Sequence, residues 1–248
     1  FWENLDKPKK INFVELGPGN GDLCSVLIDS LKNFPEANSA IKIHLYEKSK
    51  RLIKLQKTRI SKKKVIWIKN LKEINDGPVI FFGNEFLDAL PIKQFIKRNK
   101  VIFEKYVSLK NNKIGFLYKK ASRKNITKLK VYDLFKKNNF VEFPEQGFKE
   151  LDVICKMIRK YNGGCLFIDY GYINKNNSNT LQSIKSHKYN DITKNIGNAD
   201  ITSLVDFSLY KKYFDINGLQ VENVITQSEF LQKLGMLERA KILSKNMN

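Results

Sequence analysis

Apolar residues change their spacing several times along this chain, and each change predicts an element. Ile11-Asn12-Phe13-Val14-Glu15-Leu16 is a short apolar run ending in glycines, and Leu23, Val26, Leu27 and Leu31 then recur at helical spacing within 22–33. The order expected is strand, tight loop, helix. Residues 41–46 alternate like a strand and end at Glu47, after which Ser49 is placed to cap a helix bearing Leu52, Ile53 and Gln56. Val65-Ile66-Trp67-Ile68 predicts a third strand. Val79-Ile80-Phe81-Phe82, continuously apolar and entered through Gly77-Pro78, predicts a fully buried fourth. Strands alternating with helices at this spacing argue for a mostly parallel sheet.

Between Gln94 and Lys120 the period changes to two. Val101-Ile102-Phe103 and Ile114-Gly115-Phe116-Leu117-Tyr118 flank the turn Asn111-Asn112-Lys113, which predicts a hairpin inserted into the α/β unit. Residues 127–138 and 147–161 read as helices, so that 94–146 forms an inserted cap on a single domain spanning 1–248. Gly163-Gly164 lead into a fifth strand, Cys165-Leu166-Phe167-Ile168, ending at Asp169-Tyr170-Gly171. The polar stretch from 172 to about 200 is expected, by its length, to be either a functional loop or a disordered one. A helix near 202–214, a strand near 219–225 and a helix from Ser228 through Leu237 close the chain.

Composition sharpens this only in places. With 248 residues and 42% hydrophobic content the chain can bury a full core. No apolar run approaches the ~20 residues of a membrane span, and no signal-peptide pattern opens the sequence, so it reads as soluble and not exported. Cys24, Cys155 and Cys165 are odd in number and far apart, which suggests neither a disulfide framework nor zinc, and the two histidines are too few for a metal site. No metal is expected. The formal charge of +20 would favour an anionic partner, but the excess is nearly all lysine, spread along the chain without interleaved aromatics, which makes nucleic acid the weaker reading. The chain starts at Phe1-Trp2 without an initiator Met and is expected to be part of a longer protein.

The glycine turn carries the first chemistry. Gly17-Pro18-Gly19-Asn20-Gly21 lies between a strand and a helix, where backbone N–H groups can approach a ligand closely. Its spacing is G-x-G-x-G and not the dinucleotide G-x-G-x-x-G. Glu15 just before it suits a cation and would repel a pyrophosphate; S-adenosylmethionine (SAM) presents an ammonium and a sulfonium. Glu47, at the end of the second strand, stands where an acidic side chain meets ribose hydroxyls in such folds, and Asn70 after the third strand is an adenine-side candidate. Asn84, Glu85 and Asp88 follow the fourth strand. If a helix begins there, Glu85 and Asp88 share a face and can hold a guanidinium by charge-assisted hydrogen bonds. His44 is expected to be structural; His187, in the long polar segment, either lines the substrate mouth or is a surface residue.

Several segments together resemble the MidA family of SAM-dependent protein arginine methyltransferases. They are Val14-Glu15-Leu16-Gly17-Pro18-Gly19-Asn20-Gly21, Asn84-Glu85-Phe86-Leu87-Asp88-Ala89-Leu90-Pro91, Phe167-Ile168-Asp169-Tyr170-Gly171, Ala199-Asp200-Ile201-Thr202-Ser203-Leu204-Val205-Asp206-Phe207 and Thr226-Gln227-Ser228-Glu229-Phe230-Leu231. The resemblance implies a Rossmann-like class I methyltransferase fold and SAM contacts at Glu15, Gly17, Gly19, Gly21 and Glu47. It implies a protein substrate, an arginine on a core subunit of respiratory complex I whose assembly the mitochondrial member assists, and hence a bacterial cytoplasm or a mitochondrial matrix. The family's N-terminal Gly-Asp-Phe and Ser-Pro-Glu motifs do not occur in this sequence.

On that reading the guanidinium lies between Glu85 and Asp88, with Asn84 on the cofactor side and with Asp169 and either Asp200 or Asp206 completing an acidic pocket. Three rivals stand beside it: an RNA or DNA methyltransferase, favoured by charge but lacking an Asn/Asp-Pro-Pro-aromatic run after the fourth strand; a methyltransferase-shaped assembly factor without catalysis; and a nucleotide-linked oxidoreductase, disfavoured by the glycine spacing.

Overall fold

The computed structural model describes residues 2–60, 65–136, 138–174 and 178–245. The chain begins with β1 (Ile11–Leu16), α1 (Asp22–Leu31), a short α2 (Pro35–Ala40), β2 (Ile41–Tyr46), α3 (Lys50–Arg59), β3 (Val65–Ile68) and β4 (Val79–Asn84). Next come β5 (Lys93–Arg98), β6 (Val101–Lys110), β7 (Lys113–Lys120), α4 (Arg123–Val131), β8 (Phe140–Phe143), α5 (Glu145–Tyr161) and β9 (Gly163–Ile168). Short strands β10 (Gly171–Tyr172), β11 (Gln182–Lys185), β12 (Lys188–Asn190), β13 (Asp200–Thr202) and β14 (Val205–Asp206) precede α6 (Phe207–Ile216), α7 (Gln227–Lys233) and α8 (Met236–Lys245).

The main sheet has the order β3-β2-β1-β4-β9, every pair parallel. The chain moves outward from β1 to β3 and then crosses back to β4 on the other side, so the order reverses between β1 and β4. Ligands of open α/β sheets bind at the carboxyl ends of the strands at such a switch point. Both faces are covered. Cys24, Ile28 and Leu31 of α1 pack with Ile43, Leu45, Ile60 and Val65 on one side. On the other, Phe148, Leu151, Ile154, Cys155 and Ile158 of α5, one stripe at helical spacing, pack on Val14, Leu16, Val79 and Phe81 together with Tyr213 and Phe214 of α6. This is the α/β/α layering of a Rossmann-like fold, as the resemblance implies.

The inserted hairpin β6–β7 is joined by β5 and β8 into a separate antiparallel sheet of order β7-β6-β5-β8. β8 is only four residues long and lies between two helices, too short to show a period of its own. The helix expected over 127–138 is α4, which starts earlier because Ser122 caps it, its hydroxyl accepting from Asn125 N at 3.2 Å. Lys137 lies outside the described residues.

The polar stretch after 172 is not one loop. Its part at 182–202 is a three-stranded antiparallel sheet, order β12-β11-β13, held by side-chain amides and hydroxyls: Asn190 Nδ2 donates to Ser183 Oγ at 3.0 Å and Asn195 Nδ2 to Asn190 Oδ1 at 2.7 Å. Such a sheet leaves no hydrophobic alternation to read. Residues 175–177 of that stretch lie outside the described residues. Residues 219–225 alternate as a strand should but form none. Leu219 and Val221 pack against the core, and among the described residues no strand pairs with this stretch; it faces β9 across a groove. The helix expected near 202–214 starts only at Phe207, capped by Asp206, whose Oδ1 accepts from Leu209 N at 3.1 Å. The last expected helix is two, and Thr226, not Ser228, caps the first. Among the described residues no helix is long and apolar enough to cross a membrane.

Candidate active site

At the carboxyl end of β1 the chain turns through Gly17, Gly19 and Gly21, all at positive φ (65°, 53° and 83°). Gly17 N donates to Tyr46 O at 3.0 Å, tying the loop to the end of β2, and Gly21 N donates to Pro18 O at 2.8 Å. The last two glycines serve different ends. A Cβ on Gly21 would stand 2.6 Å from Ile60 Cδ1, so this glycine lets α1 start tightly against α3; a Cβ on Gly19 would meet nothing within 4 Å. The loop therefore faces open space at Gly19, with positive φ as the constraint there.

Glu15 points the same way. It is 4% exposed and its Oε2 has no hydrogen-bond partner among the described residues. Burial pushes its carboxyl up to about 7. A buried acceptor left unpaired costs ~1–3 kcal/mol, and two residues before a glycine loop open to ligand it suits a cationic donor. An ammonium fits this position; a phosphate does not.

Glu47, buried at the end of β2, is held by Ser49 N (2.8 Å to Oε1) and Gln56 Nε2 (3.4 Å to Oε2). Gln56 is fully buried on α3. Its Nε2 also donates to Gly19 O at 2.8 Å, and its Oε1 accepts from Trp67 Nε1 at 3.0 Å. One amide thus joins the glycine loop, Glu47 and β3. Asn70 is occupied locally: its side chain accepts from Lys72 N while Glu73 reaches back to Asn70 N, a capping box on the short helical turn 71–73.

The carboxylates gather on the next strand ends. No helix begins after β4, so Glu85 and Asp88 do not share a helical face. Glu85 instead adopts a left-handed backbone (φ 51°) while its N–H continues the ladder to Ile168 O at 2.9 Å. A non-glycine residue in that conformation costs ~1–2 kcal/mol, a strain that collects at functional loops. Asp169, at the end of β9, clamps this loop: its Oδ2 accepts from Leu87 N (2.9 Å) and Asp88 N (3.2 Å), and its Oδ1 from Tyr170 N (2.8 Å). Burial first, then the charges of Asp169 and Glu85, raise the Asp88 carboxyl to about 6. The Asp169 carboxyl is raised by burial as well, against the opposing backbone N–H bonds.

Phe86 connects the two halves. Its ring stacks on Phe167, and its Cδ2 would lie 3.4 Å from a Cβ on Gly17, so the Asn84–Leu90 loop rests on the glycine loop. Asn84, the last residue of β4, is exposed between them. From the other side Ser203 N donates to Asp88 O at 3.1 Å, and buried Tyr210 on α6 has Asp169, Asp206 and Asp88 as its charged neighbours, which together with burial hold its hydroxyl protonated. Asp206 therefore belongs to the acidic group, its own carboxyl raised by burial. Asp200 does not share that burial: it is exposed on β13, paired through its backbone with Ile184. His187 sits at the exposed turn between β11 and β12, and His44 is buried in β2 with Nε2 3.0 Å from Asn12 Oδ1. An apolar groove of about 810 Å³ along β9 and α6 reaches Asp169 and Tyr210 at one end; no residue of the glycine loop lines it.

Residues 1–225 match the model of a protein family described as "Putative S-adenosyl-L-methionine-dependent methyltransferase". The chain belongs to this family. It is 31% identical to the Caenorhabditis elegans mitochondrial protein named protein arginine methyltransferase NDUFAF7 homolog, over 93% of this chain and 59% of that one. To the human protein arginine methyltransferase NDUFAF7 it is 25% identical, over 100% of this chain and 61% of that one. The chain thus spans about three fifths of the length of the curated relatives it matches. Two solved Burkholderia thailandensis structures share the fold. One, a native structure, superposes with a TM-score of 0.71 at 21% identity over 87% of this chain and 60% of that one. The other holds S-adenosyl-homocysteine and superposes with a TM-score of 0.68 at 22% identity over 87% and 58%.

Gln56, Phe86 and Tyr210 stand out only in the folded chain. Gln56 reads in sequence as one more residue of a helix face; its one visible signal is a polar side chain on the stripe that should be buried. Replacing it with Leu is expected to weaken SAM binding about tenfold and to lower stability by about 1–3 kcal/mol, because Gly19 O and Trp67 Nε1 lose their partner. Calorimetric titration and a thermal melt read the two effects separately; unchanged SAM affinity would reduce Gln56 to packing.

Proposed function

We propose that this chain carries the catalytic core of a SAM-dependent protein arginine N-methyltransferase that acts on a core subunit of respiratory complex I and supports its assembly. The site would be a mitochondrial matrix or, in a bacterium, the cytoplasm. The observation that carries the reading is one loop. Asn84–Leu90 rests on the glycine turn through Phe86 and, clamped by Asp169, brings Glu85 and Asp88 beside it. The names of the relatives support its protein arginine methyl transfer.

Glu15 would hold the ammonium of SAM, the backbone of Gly17, Gly19 and Gly21 its amino-acid end, and Glu47 its ribose hydroxyls, with Asn84 at the boundary to the substrate. SAM, when bound, supplies an electrophilic methyl group on a sulfonium. The protein's own task is then binding and orientation. A guanidinium is fully protonated at neutral pH, so Glu85 and Asp88 take its charge by paired hydrogen bonds and turn one nitrogen toward the glycine loop. Asp88, with its carboxyl near 6, is ionised at pH 7.5 and accepts a hydrogen bond there. Asp169 clamps the loop that carries that pair, and Asp206 adds its charge near the buried Tyr210. Asn70 would reach the adenine only through its side-chain Nδ2, since its Oδ1, N–H and C=O are all used in the capping turn.

The test is a calorimetric titration with SAM, with NAD as control, on the protein and on Gly19→Val. A β-branched residue at φ 53° is strained, and its side chain would enter the space above the loop. SAM binding lost in the variant and no binding of NAD are expected. A folded protein that binds no SAM would end the catalytic reading, and SAM binding without any methylated complex I subunit would favour the assembly factor that does not catalyse.

A further inference from the structure

The antiparallel sheet carries an arm. β5 pairs with β6 only over Val101–Glu104, whereas β6 and β7 pair from Phe103↔Lys120 to Lys110↔Lys113. Beyond Glu104 the hairpin is therefore a two-stranded ribbon, a form that is marginally stable until one face is covered. Cross-strand partners share a face, so Val107 and Phe116, Leu109 and Ile114, and Tyr118 opposite Lys105 line one side. Val107 and Leu109 are each 71% exposed, and Phe116 and Tyr118 are exposed too. The opposite side carries Tyr106, Ser108, Lys110, Lys113, Leu117 and Lys119, with Lys119 over the Tyr106 ring.

Charge on the arm has one sign. Eight of residues 97–120 are Lys or Arg, and the single acidic residue, Glu104, is buried against Lys93 and Asn125. Lys105 sits 4.3 Å from the Phe116 ring centre and Arg98 4.9 Å from that of Tyr118, so cations border the apolar strip. A second copy of the chain would bring like charges together. The strip is two strands wide and most exposed at the aliphatic Val107 and Leu109, with lysine, not arginine, as the main cation. An apolar face flanked by lysines is the design of elements that lie in a membrane interface.

We propose that the β6–β7 arm docks on an anionic lipid bilayer, with Val107, Leu109, Ile114 and Phe116 in the acyl boundary and Lys105, Lys110, Lys113 and Lys119 at the headgroup phosphates. The inference is independent of the methyl-transfer reading. Vesicle flotation tests it, comparing phosphatidylcholine alone with phosphatidylcholine containing phosphatidylglycerol. The protein is expected to float with the anionic vesicles only. Val107→Asp with Leu109→Asp should lower that partitioning about tenfold or more, and Lys110→Glu with Lys113→Glu should weaken it and flatten its salt dependence. Val107→Ser with Leu109→Ser, a milder change, and unaltered circular dichroism guard against misfolding. Failure to bind anionic vesicles, equal binding to neutral ones, or binding that the Asp pair leaves unchanged would overturn the proposal, the first of these leaving an acidic protein surface as the partner.

Discussion

Glu85→Gln is expected to lower methyl transfer by about a thousandfold while SAM affinity stays within a few-fold of the original. The substitution keeps the size of the side chain, and Gln accepts the left-handed backbone as Glu does, so the strained turn at φ 51° is conserved. What disappears is one negative charge beside Asp88, and with it one of two paired charge-assisted contacts to the guanidinium. A thousandfold is ~4 kcal/mol of transition-state stabilisation, in the range for a group that orients a charged substrate. A second readout separates this from damage to the loop. Glu85 is one of the charges that raise the Asp88 carboxyl to about 6, so without it the Asp88 pKa should fall and the acid limb of residual activity should move to lower pH. Transfer of labelled methyl to the complex I subunit, measured against pH, checks both. Full activity in the variant would remove Glu85 from the catalytic role.

Glu15→Gln should act in two opposite directions. Burial holds the folded carboxyl at about 7 against an ordinary 4.5. Between those values the folded chain keeps a proton that the unfolded chain has released, so stability falls as pH rises from about 4.5 to 7 and the whole penalty, at most ~3 kcal/mol, is present above that. The Gln variant carries no such charge and should be more stable than the original at pH 8, by about 1–2 kcal/mol after the cost of burying an amide, and indifferent to pH in that window. Ligand binding should move the other way. A cationic ligand prefers the ionised Glu15, so SAM affinity of the original should rise about 10- to 30-fold between pH 5.5 and 7.5, and the variant should bind more weakly with a flat profile. Thermal melts and calorimetry over this pH range decide it. A variant with the original's affinity and pH profile would show that Glu15 meets no cation.

How far the site could be read in advance differs from residue to residue. The glycine turn is legible because the chemistry is local: a strand, three glycines at fixed spacing and the helix that follows suffice to place it, and Glu15 and Glu47 follow from their places at the ends of the first two strands. The sequence offers Asp200 and Asp206 as alternatives, and the choice between them depends on which of two nearby polar turns packs inward. Asp206 caps α6 beneath Tyr210, whereas Asp200 lies on a strand of the small surface sheet. The shared helical face of Glu85 and Asp88 was misplaced because i,i+3 spacing says nothing about whether a helix forms. There the Asp169 carboxylate takes the Leu87 and Asp88 N–H groups from 81 and 82 residues away, and a tertiary acceptor replaced the helical ones.

What the sequence by itself determined is therefore the parallel sheet, its helices and the cofactor turn. These rest on hydrophobic period and on backbone conformations that glycine alone permits cheaply, both properties of short stretches of chain. Tertiary structure decided the rest. It left 219–225 unpaired because a strand exists only beside another, built a sheet from polar residues at 182–202 because amides can hold strands without hydrophobic alternation, and set Phe86 on the glycine loop. It also converted Gln56 from a helix position into the link between Gly19 and Glu47. Each of these depends on which distant backbone or side chain arrives next to a given group, and that is fixed only when the layers close.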